Sequence, residues 1–258
     1  MKRRSSRYGL GLAVMLALAH PIASAAPARA SLSADVQAIL GKIDAINRFS
    51  DSFSATLRIT SRSPDAPIGV SAYRMYTKGL RKSLLVFTEP AKDAGKKIAM
   101  NGKSMWFYFP KARQSIIVRP VSTLTGSVAV GDTLGSPILE LYDFSESRPT
   151  EDGGGLYLSF VARGADTPYG KVVYEYRGER IASQRSYARS GALLKIISFE
   201  EYADAGQDRE YATKILVQNA VYPEYTSLIE ISDLKKRENI PDFYFTPEGL
   251  ADAGAKLP

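Results

Sequence analysis

Polar and apolar positions change their period along the chain, and each change marks an element. Val36, Ile39, Leu40, Ile43 and Ile46 fall at helical spacing, which predicts a helix with one apolar stripe from Ser33 through Arg48. The period then drops to two. Phe53, Ala55, Leu57 and Ile59 alternate with Ser54, Thr56, Arg58 and Thr60, the pattern of a strand with one buried face. Ser63-Pro64-Asp65 marks a turn, and strand-like runs recur at 71–77, 83–87, 96–100, 104–109 and 115–119. Asn101-Gly102, between two of these runs, is a strong two-residue hairpin signal. Residues 121–130 are small and polar, and Ser136-Pro137 opens a predicted helix carrying Ile138, Leu139, Leu141 and Tyr142. Beyond Gly153-Gly154-Gly155 strands resume at 156–162, 171–176, 180–187, 193–202, 210–218 and 227–232, with a last one at 243–246. No repeat and no long linker interrupts this series. The pattern predicts a mainly β (α+β) protein, a curled antiparallel half-barrel with an N-terminal helix and a helical lid insertion near 122–144. Alternation gives each strand an inner and an outer face, and a partly filled apolar concave face is a ready pocket for a greasy ligand.

The first 30 residues follow a different rule. Lys2, Arg3, Arg4 and Arg7 precede an apolar stretch from Gly9 to Ala19, then Pro21 and small residues. That order predicts a cleavable secretory signal, with cleavage after Ala25 or after Ala30. The apolar stretch is 11 residues, where a spanning helix needs about 20. With no cysteine in the chain, a lipid-anchored N-terminus is excluded. Residues 31–258 are expected to form a single domain that works in the periplasm.

Removing residues 1–30 changes the charge. The chain has 34 basic and 27 acidic residues, a net +7. Five of the basic residues (Lys2, Arg3, Arg4, Arg7 and Arg29) and no acid lie in the leader, so the remainder is close to +2. A nucleic-acid footprint is not supported. The single histidine, His20, also lies in the leader. Residues 31–258 therefore lack both His and Cys, which removes Ser-His-Asp and Cys-His catalysis and nearly every zinc site. Glu200, Glu201, Asp204 and Asp208 are the acidic group from which a glycosidase pair would have to come. Neighbouring residues on a strand point to opposite faces, which argues against it. No enzymatic activity, cofactor or metal is expected.

Several segments resemble the LolA-like family of periplasmic lipoprotein carriers. Asn101 to Pro110 (NGKSMWFYFP) is similar to that family's hairpin and strand, and Leu85 to Pro90 (LVFTEP) to the strand before it. Ile46 to Phe49 followed by Phe53 to Leu57 resembles its N-terminus, and Phe243 to Pro247 (FYFTP) its final strand. Pro90, Gly95, Trp106, Pro110, the basic run from Arg113 to Arg119 and Gly131-Asp132 place the resemblance in the branch of outer-membrane lipoprotein-sorting proteins. The resemblance implies a carrier of lipoprotein acyl chains or another lipid. It also implies an inner-membrane transporter of RND or ABC type as partner, transient membrane-surface contact and a monomer. The best-known carriers place a lid-latching arginine just before the strand matching Leu85. The matching stretch here is Thr77 to Arg81, with Gly79 in that register and Lys78 and Arg81 beside it.

Strand parity and the resemblance together put Leu85, Phe87, Ile98, Met100 and Phe107 on the concave face as candidate ligand-binding residues. Apolar contact alone suffices for acyl chains, since each buried methylene is worth about 0.8 kcal/mol. An ordinary filled core explains the same side chains. Trp106 is expected to anchor the fold beneath the N-terminal helix. The segment 122–144 is either a lid swinging on its glycines or a fixed cap. Lys111, Arg113 and Arg119 form a basic edge, either a docking face or lipid-headgroup contact or simply a solvated edge, and Asp132 is expected to be a cap or turn residue.

Overall fold

The first strand lies in the interior of the sheet, hydrogen-bonded to the second on one side and to the last on the other. The computed structural model describes residues 34–46, 52–79, 81–134, 138–165, 167–204, 210–237, 240–253 and 257. The expected signal segment, Ser33, Ser136-Pro137 and Asp208 lie outside these residues.

Helix α1 (Ala34–Ile46) buries Val36, Ile39, Leu40 and Ile43, the stripe its spacing predicts. Strands β1 (Ser52–Ser63), β2 (Ala66–Lys78), β3 (Lys82–Glu89), β4 (Lys97–Asn101), β5 (Ser104–Phe109) and β6 (Gln114–Ile117) form an antiparallel meander outward to one edge. Pro64-Asp65 turns β1 into β2, as predicted. The β4–β5 hairpin closes through Gly102 and Lys103, one residue later than the Asn-Gly signal, with Gly102 at φ +63°.

The chain then has to reach the opposite edge. It does so through a connection holding the short hairpin β7 (Thr123–Thr125) and β8 (Val128–Ala129), then α2 (Val130–Leu134) and α3 (Ile138–Leu141). From the far edge β9 (Tyr142–Pro149), strands β10 (Gly155–Ala162), β11 (Lys171–Arg177), β12 (Arg180–Tyr187), β13 (Leu193–Asp204), β14 (Glu210–Asn219) and β15 (Thr226–Arg237) return inward to β1. The result is one antiparallel sheet of 13 strands with free edges at β6 and β9, not closed into a barrel.

Two layers cover the sheet. The inner face carries Leu57 and Ile59 of β1, Tyr73 and Met75 of β2, and Ile215 and Ile229 of β14 and β15, and the helices lie on this side. Burial of each such side chain contributes about 1.5–3 kcal/mol. On the outer face Tyr76, Leu84, Ala99 and Tyr108 of β2–β5 form a second cluster with Ile240, Phe245, Leu250, Ala253 and Leu257.

This second cluster corrects two expectations. Residues 243–246 are not a strand: Asp242–Phe245 is a 3-10 turn, followed by another at Gly249–Ala251. Both lateral edges of β2–β5 are already occupied by neighbouring strands, so the segment adds apolar side chains to a face instead of hydrogen bonds to an edge. Trp106 belongs to this outer cluster, on the opposite face from the helices. Strand β9 has no counterpart in the predicted series: its residues after Phe144 are exposed and carry no alternation of apolar and polar side chains.

Candidate functional site

All five candidate residues fall on the inner face. Leu85 pairs with Ile98, Ile98 with Phe107, and Met100 with Ser83, while Phe87 faces Tyr73 across β2–β3. Leu85, Ile98 and Met100 are fully buried core positions; Phe87 is 8% exposed and Phe107 is half-buried. Their aromatic members form a ladder: Phe87 meets the Tyr73 ring edge-on at 4.8 Å, stacks on Phe107 at 5.5 Å, and Phe107 lies 4.5 Å from Phe109. Offset and edge-to-face geometries are the favourable ones for such rings. Burial pushes the Tyr73 phenol up to about 12, so it stays neutral.

The inner face also holds a cavity of about 40 Å³, open on one side, two or more strands from most of these residues. Leu57, Met75, Ile215, Ile229 and Ile231 line its floor, and Asp132 to Leu134 of α2 form its roof. That volume has room for about three water molecules, so an acyl chain enters only if the roof moves. Thr77 lines the same cavity, and its buried hydroxyl has no hydrogen-bond partner among the described residues. An unmet buried hydroxyl costs about 1–3 kcal/mol. A water or a ligand oxygen beside it would remove that cost.

The connection across the inner face is tied down at four places. Gly126, at φ +50°, brings the β7–β8 turn against Ser61 and Ser227, and the Ser127 N–H donates to the Ser227 hydroxyl at 3.0 Å. The Ser83 hydroxyl donates to the Leu134 carbonyl at 3.3 Å. Arg81 pairs with Glu140 of α3 at 2.6 Å across a solvent-exposed gap. The fourth tie centres on an ion pair: Asp132 accepts from Lys195 Nζ at 2.5 Å and from the Tyr169 hydroxyl at 3.0 Å. Asp132 also accepts the Ala129 N–H at 2.7 Å, the capping role expected of it. Its partner Lys195 gave no sequence signal. Burial, followed by the Asp132 charge, drives the Tyr169 phenol upward.

The stretch matching the carriers' latch sends its side chains to different places. Gly79, at φ +58°, has no side chain to latch with. Lys78 turns to the outer face, donating to the Ile240 carbonyl at 2.8 Å and pairing with Asp242 at 2.7 Å. Arg81 reaches the connection.

The acidic group resolves differently from its strand-parity reading. A bulge between Phe199 and Glu201 turns Glu200 and Glu201 to the same cation, Lys214, at 3.8 and 3.3 Å. Two carboxylates converging on one exposed lysine form a charge cluster, not a pair spaced across a cleft. Among the described residues, no helix is long and apolar enough to cross a membrane.

An open antiparallel sheet with an apolar face beneath a strapped-down connection is a LolA-like fold, and solved structures agree. A LolA superfamily protein from Nitrosomonas europaea is similar at 29% identity and a TM-score of 0.72, over 81% of this chain and 96% of that one. A putative outer membrane lipoprotein-sorting protein domain from Vibrio parahaemolyticus is similar at 18% identity and a TM-score of 0.71, covering 83% and 97%. A DUF1329 family protein from Desulfovibrio piger follows at 18% identity and 0.69, covering 83% and 96%. No curated protein sequence matches the chain. A family model for DUF1329-like uncharacterized proteins matches residues 79–252. The chain belongs to that family, and its fold is similar to that of the LolA superfamily protein.

Proposed function

We propose that this protein is a periplasmic carrier that holds lipoprotein acyl chains or another lipid on its inner apolar face and moves them toward the outer membrane. One observation carries the reading: a continuous apolar face from Tyr73 through Phe87 and Phe107 lies beside a cavity whose roof is joined to the sheet by a few polar contacts. Its Vibrio relative's description as a lipoprotein-sorting domain points the same way. A curled sheet with the α2–α3 segment as a movable lid is the working form, and an inner-membrane RND or ABC transporter is the natural donor. No enzymatic step is part of this function.

The test is lipid analysis of the purified protein by native mass spectrometry, with extraction of whatever co-purifies. Bound lipid at a fixed stoichiometry supports the reading, and its loss in Phe107→Gln assigns the site to the ladder. A protein that carries no lipid and takes none up from a donor membrane is not a carrier. Phe107 is the informative position because Leu85 is wholly buried, where a glutamate would unfold the protein before it reported on cargo.

A further inference from the structure

From Ala94 to Gly131 the chain carries Lys96, Lys97, Lys103, Lys111, Arg113 and Arg119 and not one acid. Two of these cations are used internally. Lys96 pairs with Asp93 at 2.5 Å, and buried Lys97 donates to the Leu250 carbonyl at 2.6 Å. The other four have no ion pair with any described residue. Three of them, Lys111, Arg113 and Arg119, bracket β6 at the free edge of the sheet.

The same edge exposes apolar side chains. Ile117 is 80% exposed, Val121 46% and Ile116 44%. Scattered exposed apolar residues are ordinary, but three within six positions, flanked by unpaired cations, form a patch of interfacial character. Arg113 adds a further oddity: it sits at φ +52°, a conformation glycine adopts at less cost.

We infer that the β6 edge docks on an anionic lipid surface, with Ile117 and Val121 entering the headgroup boundary and Lys111, Arg113 and Arg119 meeting lipid phosphates. A protein strand added to this edge fits less well. The edge strand spans four residues, Gln114–Ile117, which offers few main-chain hydrogen bonds. Ile116 and Ile117 also point to opposite faces, so no single added face covers both. A bilayer met edge-on accommodates both.

The edge is also where the inner ladder reaches the surface. Along that ladder exposure rises from 1% at Tyr73 and 8% at Phe87 to 44% at Ile116, which pairs with Phe107. Docking here presents the open end of the apolar face to the membrane. That consequence rests on the carrier reading; the docking itself does not.

The test is cosedimentation of the purified protein with vesicles of phosphatidylcholine, alone or mixed with phosphatidylglycerol. Binding is expected to the mixed vesicles only, weakening as salt is raised. The variant K111E/R113E/R119E should lose on the order of a hundredfold in vesicle affinity, with its melting temperature kept. Ile117→Ser, a single change at a solvent-facing position, should weaken binding without altering the salt dependence. Equal binding to neutral vesicles, no vesicle binding, or wild-type binding by both variants overturns the inference. Retention by an acidic protein in place of vesicles would do so too. Vesicle binding by a protein that carries no lipid would leave this surface standing and remove the carrier reading.

Discussion

Asp132 and Lys195, 63 residues apart in sequence, meet at 2.5 Å on the inner face and fasten α2 to β13. Their side chains are 3% and 12% exposed. Removing one member of such a pair leaves a buried charge without its partner, a loss of about 3–5 kcal/mol. Asp132→Asn and Lys195→Met should each destabilise by about 3 kcal/mol in chemical denaturation. The double variant should lose clearly less than the two losses combined. Full additivity would show that the pair does not hold the strap. Because Asp132 lies in the roof of the cavity and Lys195 holds it there, either single variant should also take up an apolar dye faster than the wild type.

Gly126 is a second fastening point, made by absence of a side chain. A Cβ there would lie 2.5 Å from the Ser227 hydroxyl and closer still to that of Ser61, on a backbone at φ +50°. Gly126→Ala should therefore cost at least ~1–2 kcal/mol, and adding Ser61→Gly should restore part of it. An unchanged midpoint in urea would show that the hairpin can lift away freely.

Asp242 predicts an acid-sensitive tail. Lys78, then Lys82, hold its carboxyl at about 2, below the ordinary carboxylate value. A depressed native value means the ion pairs contribute fully above about pH 4 and are lost as pH falls toward 2. Trp106, the chain's only tryptophan, lies in the cluster this tail covers, so its fluorescence reads the event directly. The emission should shift between pH 4 and 2, and Asp242→Asn should show the tail's looser state already at neutral pH. A flat profile in the wild type would mean that apolar contacts alone hold the tail.

Arg113 sets stability against surface binding. Arg113→Gly relieves a left-handed backbone, which should raise stability by about 1 kcal/mol, while weakening vesicle binding. A variant that gains stability and keeps full binding would show the arginine to be incidental.

Much of this was legible from alternation. Strand parity places Leu85, Phe87, Ile98, Met100 and Phe107 on one face because the β3–β5 pairings run without a register shift. Parity fails where a bulge intervenes, as at Phe199–Glu201, since the sequence carries no mark of the extra residue. The tail at 243–246 has strand-like composition, yet its fate depends on which edges are free, a property of the finished sheet. Trp106 was misplaced for the same reason, as nothing local tells which face the tail will cover. Lys195 looks like any surface lysine until the connection is laid across the sheet.

The position of β15 has a consequence for the order of events. Its pairing with β1, Thr60 opposite Leu228, is the seam that joins two otherwise local meanders. Closing contacts so distant in sequence is slow, because the loop between them must be ordered first. A chain delivered from its N-terminus can zip β1 to β6 early, but the seam stays open until residues 226–237 arrive. The final topology cannot be reached by a partly delivered chain, so the single sheet exists only once residues 226–237 have arrived.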